Sequence, residues 1–164
     1  MKKRGRWEYV GRVGGTQAAV VLAIDDGPFG EAQDRHVILV EQYRVPLGRR
    51  CLELPAGLVG DEEAGETAEV SAARELEEEA GYRADRVTSL GAFYASPGMV
   101  SECFTLVRAE GLTRIGEGGG TADEDITVHR VALAAIADFV ADRRAAGVAI
   151  DVKLLALLGP GLLG

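Results

Sequence analysis

The sequence predicts an α+β domain, an α/β/α sandwich in which a mixed β-sheet lies between helices. Short apolar, valine-rich runs precede a central segment dense in alanine, glutamate and leucine, strand-like runs resume after it, and further helical segments come late. A length of 164 residues suits one domain, 1–164, and no repeat or linker divides it. An apolar fraction of 47% against 27% charged is globular composition.

The elements follow in order. Gln17 to Ile24 is an apolar run rich in valine and alanine, closed by the turn residues Asp25-Asp26-Gly27-Pro28. His36 to Tyr43 and Arg50 to Leu54 are the next strands, the latter ended by Pro55. A loop with Gly57, Gly60 and Gly65 leads to a helix over Thr67 to Ala80, where neither Gly nor Pro interrupts. Thr67 is the expected N-cap and Gly81 the expected residue just past the C-terminus. Strands return at Val87 to Tyr94, Glu102 to Ala109 and Ile126 to Val131, with a glycine-rich acidic loop, Gly116 to Asp125, before the last. A helix from Leu133 to Ala146 and a short apolar one from Asp151 to Leu158 complete the chain.

The formal charge is −8, which excludes nucleic-acid binding through the overall field, since such binding rests on basic residues neutralising phosphates. All of it resides in one window. Asp61 to Glu79 holds nine acids and one base, and the acids and bases elsewhere cancel. No apolar run reaches the roughly 18 residues of a membrane span, and the basic N-terminus leads into Glu8 and Tyr9 rather than an apolar signal core. Cys51 and Cys103 lack metal-site spacing and read as reduced small hydrophobes of a cytoplasmic protein.

At 100° per residue, Glu75, Glu78 and Glu79 share one helix face, bordering a core stripe of Ala72, Ala73, Leu76 and Ala80, while Glu77 points away. Like charges at these spacings repel, and a compensating hard cation such as Mg²⁺ or Mn²⁺ would take such oxygen ligands. A solvated charged face is the plainer reading of the cluster by itself.

The wider spacing is specific. From Gly60 to Tyr82 the chain satisfies G-x5-E-x7-R-E-U-x-E-E-x-G-U, where U is bulky and apolar or aromatic. This resembles the Nudix hydrolases. In many members the box glycine directly follows the Pro-Ala pair, so either Gly57 or Gly60 can hold the structural place. The resemblance implies a Nudix fold and hydrolysis of a nucleoside diphosphate linked to another moiety. It implies Mg²⁺ or Mn²⁺ bound by Glu75, Glu78 and Glu79, with the backbone carbonyl near Ala56 often completing a site. Arg74, four residues before Glu78, would hold that carboxylate, and Glu66 would either approach the metal or stabilise the helix N-terminus.

Outside the box, Glu41-Gln42-Tyr43-Arg44, Pro46-Leu47-Gly48 and Glu53-Leu54-Pro55-Ala56-Gly57 resemble the segment preceding the box in ADP-ribose pyrophosphatases. Pro97 lies 15 residues beyond Tyr82, where that subfamily carries a marker proline, and Asp123 to His129 resembles its acidic loop before a late strand. The subfamily implies cleavage of ADP-ribose to AMP and ribose 5-phosphate, with a catalytic glutamate in that loop. Glu124 is the first choice and Glu117 the second, the glycines letting the segment move over substrate. Arg44 is a candidate phosphate or ribose contact, Tyr43 an adenine-stacking residue, and Glu53 and Glu102 would order metal, water or a ribose hydroxyl. His36 and His129 read as structural. The rivals are a pyrophosphatase for another nucleoside diphosphate sugar, such as GDP-mannose, and a non-catalytic Nudix-fold nucleotide-binding module. A homodimer formed through N-terminal strands, Trp7 to Val13, is also implied, with no nucleic-acid or membrane partner.

Overall fold

The computed structural model describes residues 1–11, 17–27, 34–60, 65–121 and 124–163. Its organising strand is β3 (Ala18–Asp25), which is apolar at nearly every position because both of its faces are covered. Ala19, Val21 and Ala23 pack on one side with Ile38, Val107 and Ala109, against Ala72, Leu76 and Ala80 of helix α1 (Ala68–Ala80). Val20 and Ile24 face the other way with Val37, Leu39, Leu52 and Leu54, against Ile136 and Val140 of α2 (Ile136–Ala145) and Leu154, which precedes α3 (Leu155–Leu163). The period-2 alternation of one strand thus builds two cores, and the predicted sandwich is the observed fold.

The sheet is mixed, as expected. Strand β3 pairs parallel with β8 (Phe104–Arg114) from Ala18–Phe104 to Ala23–Ala109, and antiparallel with the short β6 (Ala56–Leu58). It meets β4 (His36–Arg44) only at Ile24–Val37 and Asp25–His36. From there β4 carries a second wing: β9 (Thr127–Ala132), β5 (Arg49–Glu53) and, parallel to β5, the two-residue β10 (Ala149–Ile150). Strands β3 and β4 therefore diverge from their shared end.

Some boundaries differ from expectation, each for a local reason. Strand β7 (Tyr82–Phe93) starts directly after α1, and β8 runs on to Arg114, because their antiparallel ladder continues past the core. Its exposed rungs carry charge pairs such as Arg86 with Glu110 (2.7 Å), which show no apolar alternation. The first turn of the late helix, Leu133–Ala135, is 3₁₀. The last helical segment also opens as a 3₁₀ turn, Val152–Leu154, capped by Asp151. At the N-terminus β1 (Lys2–Arg4) and β2 (Trp7–Tyr9) form a hairpin, and Val10 bridges Val100; Val13 lies outside the described residues. Cys51 and Cys103 are free thiols, and burial pushes Cys51 up to about 12, in keeping with a small core residue. Among the described residues no helix is long and apolar enough to cross a membrane.

Candidate active site

Helix α1 begins and ends as its sequence directs. The Thr67 hydroxyl accepts from the Val70 N–H (3.4 Å), and Gly81, at φ 73°, turns the chain with its N–H on the Glu77 carbonyl. Between these caps the helix buries Ala72, Leu76 and Ala80, and this fixes the direction of the three box glutamates.

Glu79 is 5% exposed and accepts from the Ala56 N–H at 2.9 Å, which joins the helix to β6. Glu75 packs over Gly57 so closely that any Cβ there would overlap its carboxylate. Glu78 is more exposed and reaches Arg74 (3.4 Å), which also contacts Glu75 (3.0 Å) and Glu66 (3.5 Å). Arg74 is therefore the hub of the acidic face. Glu66 binds Arg74 and the Gly60 N–H (3.1 Å), tying the loop to the helix. The two glycines have separate duties: Gly60 supplies a left-handed φ of 78°, and Gly57 supplies the space for Glu75.

Glu75 and Glu79 open into a cleft of about 490 Å³ on the diverging side of β3 and β4. Arg44, Glu53, Ala56, Glu102 and Glu124 line the same cleft. Arg44 grips Glu53 through both carboxylate oxygens (2.7 and 2.9 Å). Tyr43 does not join them: strand alternation turns Gln42 and Arg44 inward and leaves Tyr43 55% exposed, so its expected stacking role has no support in this geometry. Pro97 opens a turn in which Met99 and Val100 donate to the Ser96 carbonyl, and it also stands outside the cleft lining. Glu117 is exposed and pairs with Arg114 at 2.7 Å. Its rival Glu124 faces the cleft, its carboxylate accepting from the Thr121 N–H (2.8 Å) and hydroxyl (3.1 Å).

The glycine-rich loop has a duty that sequence reasoning missed. Ile115 and Gly116 donate to the Gly81 carbonyl, Gly119 to that of Glu79 (2.8 Å) and Gly120 to that of Glu78 (3.1 Å). These bonds satisfy carbonyls that a helix end leaves open. The glycines pin the loop to α1, where mobility was expected. Lys153 was also missed; it lines the cleft from a segment that reads as an apolar helix. His129 sits in β9 on Glu41 (3.3 Å) and His36 on the Asp34 carbonyl (2.7 Å), away from the cleft lining.

Desolvation pushes the Glu79 carboxyl up to about 8; the Ala56 N–H and Arg44 oppose this, and the neighbouring Glu75 and Glu124 charges add to it. The donor set is all oxygen, which suits a hard divalent cation. A buried carboxylate repelled by two others is chemically fitted to one. Among the described residues no three such side chains yet converge on one point, and Glu78, turned to Arg74, is the one that would have to swing in.

A NUDIX domain model matches residues 16–149. The chain belongs to the NUDIX family. It is 42% identical over 100 residues to an ADP-ribose pyrophosphatase of Bacillus subtilis, covering 61% of this chain and 49% of that protein. It is 34% identical over 135 residues to a GDP-mannose pyrophosphatase of Cronobacter sakazakii, covering 77% and 66%. A crystal structure of an ADP compounds hydrolase superposes with a TM-score of 0.64 at 26% identity, covering 93% of this NUDIX chain and 76% of that one. The chain spans about half the length of several curated relatives that it matches.

Two outcomes follow from this geometry. Gly57→Ala is expected to leave the fold intact, because Glu75 can rotate away from the new methyl, and to lower kcat by about 10²-fold because the displaced carboxylate is then misplaced; melting curves and steady-state rates check both halves. The second concerns pH. Glu79 binds its proton more tightly folded than unfolded, where the ordinary value of 4.5 applies. Its contribution to stability is therefore full below about pH 4.5 and lost as pH rises through about 8. With chelator present, melting temperature should fall over that range, and millimolar Mg²⁺ should raise it more at high pH than at low pH, the outcome expected where a cation competes with the proton for a carboxylate. A metal-induced rise independent of pH would overturn this.

Proposed function

We propose that this chain, acting as a single NUDIX domain, hydrolyses the pyrophosphate bond of ADP-ribose to give AMP and ribose 5-phosphate, with Mg²⁺ or Mn²⁺ as cofactor. The observation that supports it is the convergence of Glu75, Glu79, Glu102 and Glu124 with Arg44 and Glu53 in one cleft. Glu75, Glu78, Glu79 and the Ala56 carbonyl would hold the cation. Once bound, a divalent ion supplies the positive charge that neutralises a diphosphate and raises the acidity of water.

The chain's own groups do the rest. Arg44, kept in place by Glu53, contacts a phosphoryl or ribose oxygen, and Glu102 orders a hydroxyl or water. Glu124 takes a proton from the attacking water as its oxygen bonds to phosphorus and the bond to the bridging oxygen breaks. Glu124 is preferred to Glu117 because only the former lines the cleft. Arg74 holds Glu75 and Glu78 at their starting positions.

Likeness to the Cronobacter protein supports a second reading, a GDP-mannose-type substrate. Intact Glu75, Glu78 and Glu79 weigh against a module that binds nucleotide without cleaving it. The test is chromatographic detection of nucleoside monophosphate from a panel of nucleotide sugars, with and without Mg²⁺. AMP from ADP-ribose is expected. Turnover of GDP-mannose but not ADP-ribose would transfer the assignment, and no metal-dependent turnover at all would end the enzyme reading.

The chain is further read as a cytoplasmic homodimer. The exposed Trp7, Val10 and Met99 form its candidate contact, Val10 and Met99 being joined by a backbone bond of 2.9 Å. Sedimentation equilibrium of the wild type and Trp7→Glu decides this, a monomeric wild type refuting it.

A further inference from the structure

Of the described residues lining the cleft, two are cationic, Arg44 and Lys153. They come from different layers of the fold. Arg44 is on β4, while Lys153 lies in the 3₁₀ turn before α3, on the layer opposite α1. Glu53 holds Arg44 in place, as Asp151 holds Lys153.

Lys153 is held with unusual completeness for a lysine. One oxygen of Asp151 accepts from the Lys153 backbone N–H (2.7 Å) and the other from its ammonium (2.7 Å). The ammonium also lies 5.6 Å from the centre of the Phe104 ring, and the side chain is 17% exposed. The backbone is equally fixed. Asp151 donates to the Leu52 carbonyl (3.0 Å), next to Glu53 of the cleft, and the fully buried Leu154 anchors the other end of the turn. A free lysine side chain samples many rotamers, and here most of that freedom is already lost before any ligand arrives.

We propose that Lys153 is a substrate-binding residue, whose preorganised ammonium takes the diphosphate oxygens from the wall facing Glu75 and Glu79. This rests on the reading of the substrate as a nucleoside diphosphate sugar. The acidic wall can hold such an anion only through bound cations, so an ammonium on the other wall, which gives one N–H to Asp151 and has further N–H donors for phosphoryl oxygens, supplies an attraction that does not depend on metal. Lys153 sets affinity and leaves bond breaking to the other groups.

Lys153→Met keeps the stem over Phe104 and removes the charge. In the full chain with Mg²⁺, KM for ADP-ribose should rise about tenfold while kcat stays within a factor of about two. Calorimetric titration with a methylene-bridged ADP-ribose analogue should show the same tenfold loss, about 1.4 kcal/mol, and Lys153→Arg should recover most of it. Titration with uncharged adenosine should be the same in wild type and variant, which a merely structural lysine would not ensure. Should Lys153→Met melt early, Lys153→Gln in the same assays answers in its place. Unchanged KM and analogue affinity in a turning-over enzyme would overturn this inference alone; a wild type inactive on every nucleotide sugar would overturn it together with the proposed function.

Discussion

Glu79→Gln is expected to lower metal-supported kcat by about 10³-fold while leaving the protein folded. The amide has the shape of the carboxylate and can still accept from the Ala56 N–H, so the link between α1 and β6 survives. What disappears is the negative charge on the most deeply buried of the three box glutamates. In the proposed site a hard cation would lose an anionic ligand, and the several kcal/mol of charge stabilisation that such an ion supplies correspond to a rate loss of that order. The same substitution removes a desolvated carboxyl, so in chelator at alkaline pH the variant should melt no lower than the wild type. Full activity in Glu79→Gln would remove Glu79 from the cation site.

Leu76→Ala should have the reverse profile. Leu76 is fully buried where α1 crosses β3, among Val21, Ile38 and Val107. Truncation leaves a cavity that small strand residues such as Ala19 and Ala23 cannot fill, and a loss of about 3 kcal/mol is expected. For a domain of this size that is roughly a 10 °C fall in melting temperature. Activity per folded molecule should stay near wild type below the transition, because Leu76 packs into the core and does not line the cleft. A fall of less than about 2 °C would mean that α1 is not held chiefly by this contact.

Much of the fold was readable from sequence because several local signals agreed. Around α1 an N-cap threonine, a 3.6-residue apolar stripe and a terminal glycine all give the same boundaries, and the box spacing singles out the same helix. Strands β3, β4 and β5 were equally plain, being buried on both faces. Periodicity fails where burial stops. The outer rungs of β7 and β8 carry charge pairs, and β6 and β10 are too short to show a period.

At the site the limit lies in direction and distance. A one-residue step along β4 separates Arg44, in the cleft, from Tyr43, outside it, and no motif spacing reports that turn. Sequence ranked Glu124 above Glu117 but could not place either carboxylate; in the structure Glu124 lines the cleft and Glu117 pairs with Arg114. Lys153 could not be placed from sequence, because it approaches through a parallel pairing of two residues, Ala149–Cys51 and Ile150–Leu52, that joins distant parts of the chain. The close Asp151-x-Lys153 pair was its only local trace.

The seam between the glycine-rich loop and the end of α1 bears on how freely this protein can change. Its bonds run from main-chain amides of Gly119 and Gly120 to main-chain carbonyls of Glu79 and Glu78, so exchanging surface side chains nearby leaves them untouched. Gly81 and Gly118 are the exceptions. At φ 73° and 68°, each with main-chain atoms of the other side of the seam against the place a Cβ would occupy, they tolerate no other residue without parting it. The start of the segment that carries Glu124 is thus referenced to the helix by backbone alone, and a hydrogen atom in place of a methyl group on each side of the seam keeps that reference true while the surrounding sequence drifts.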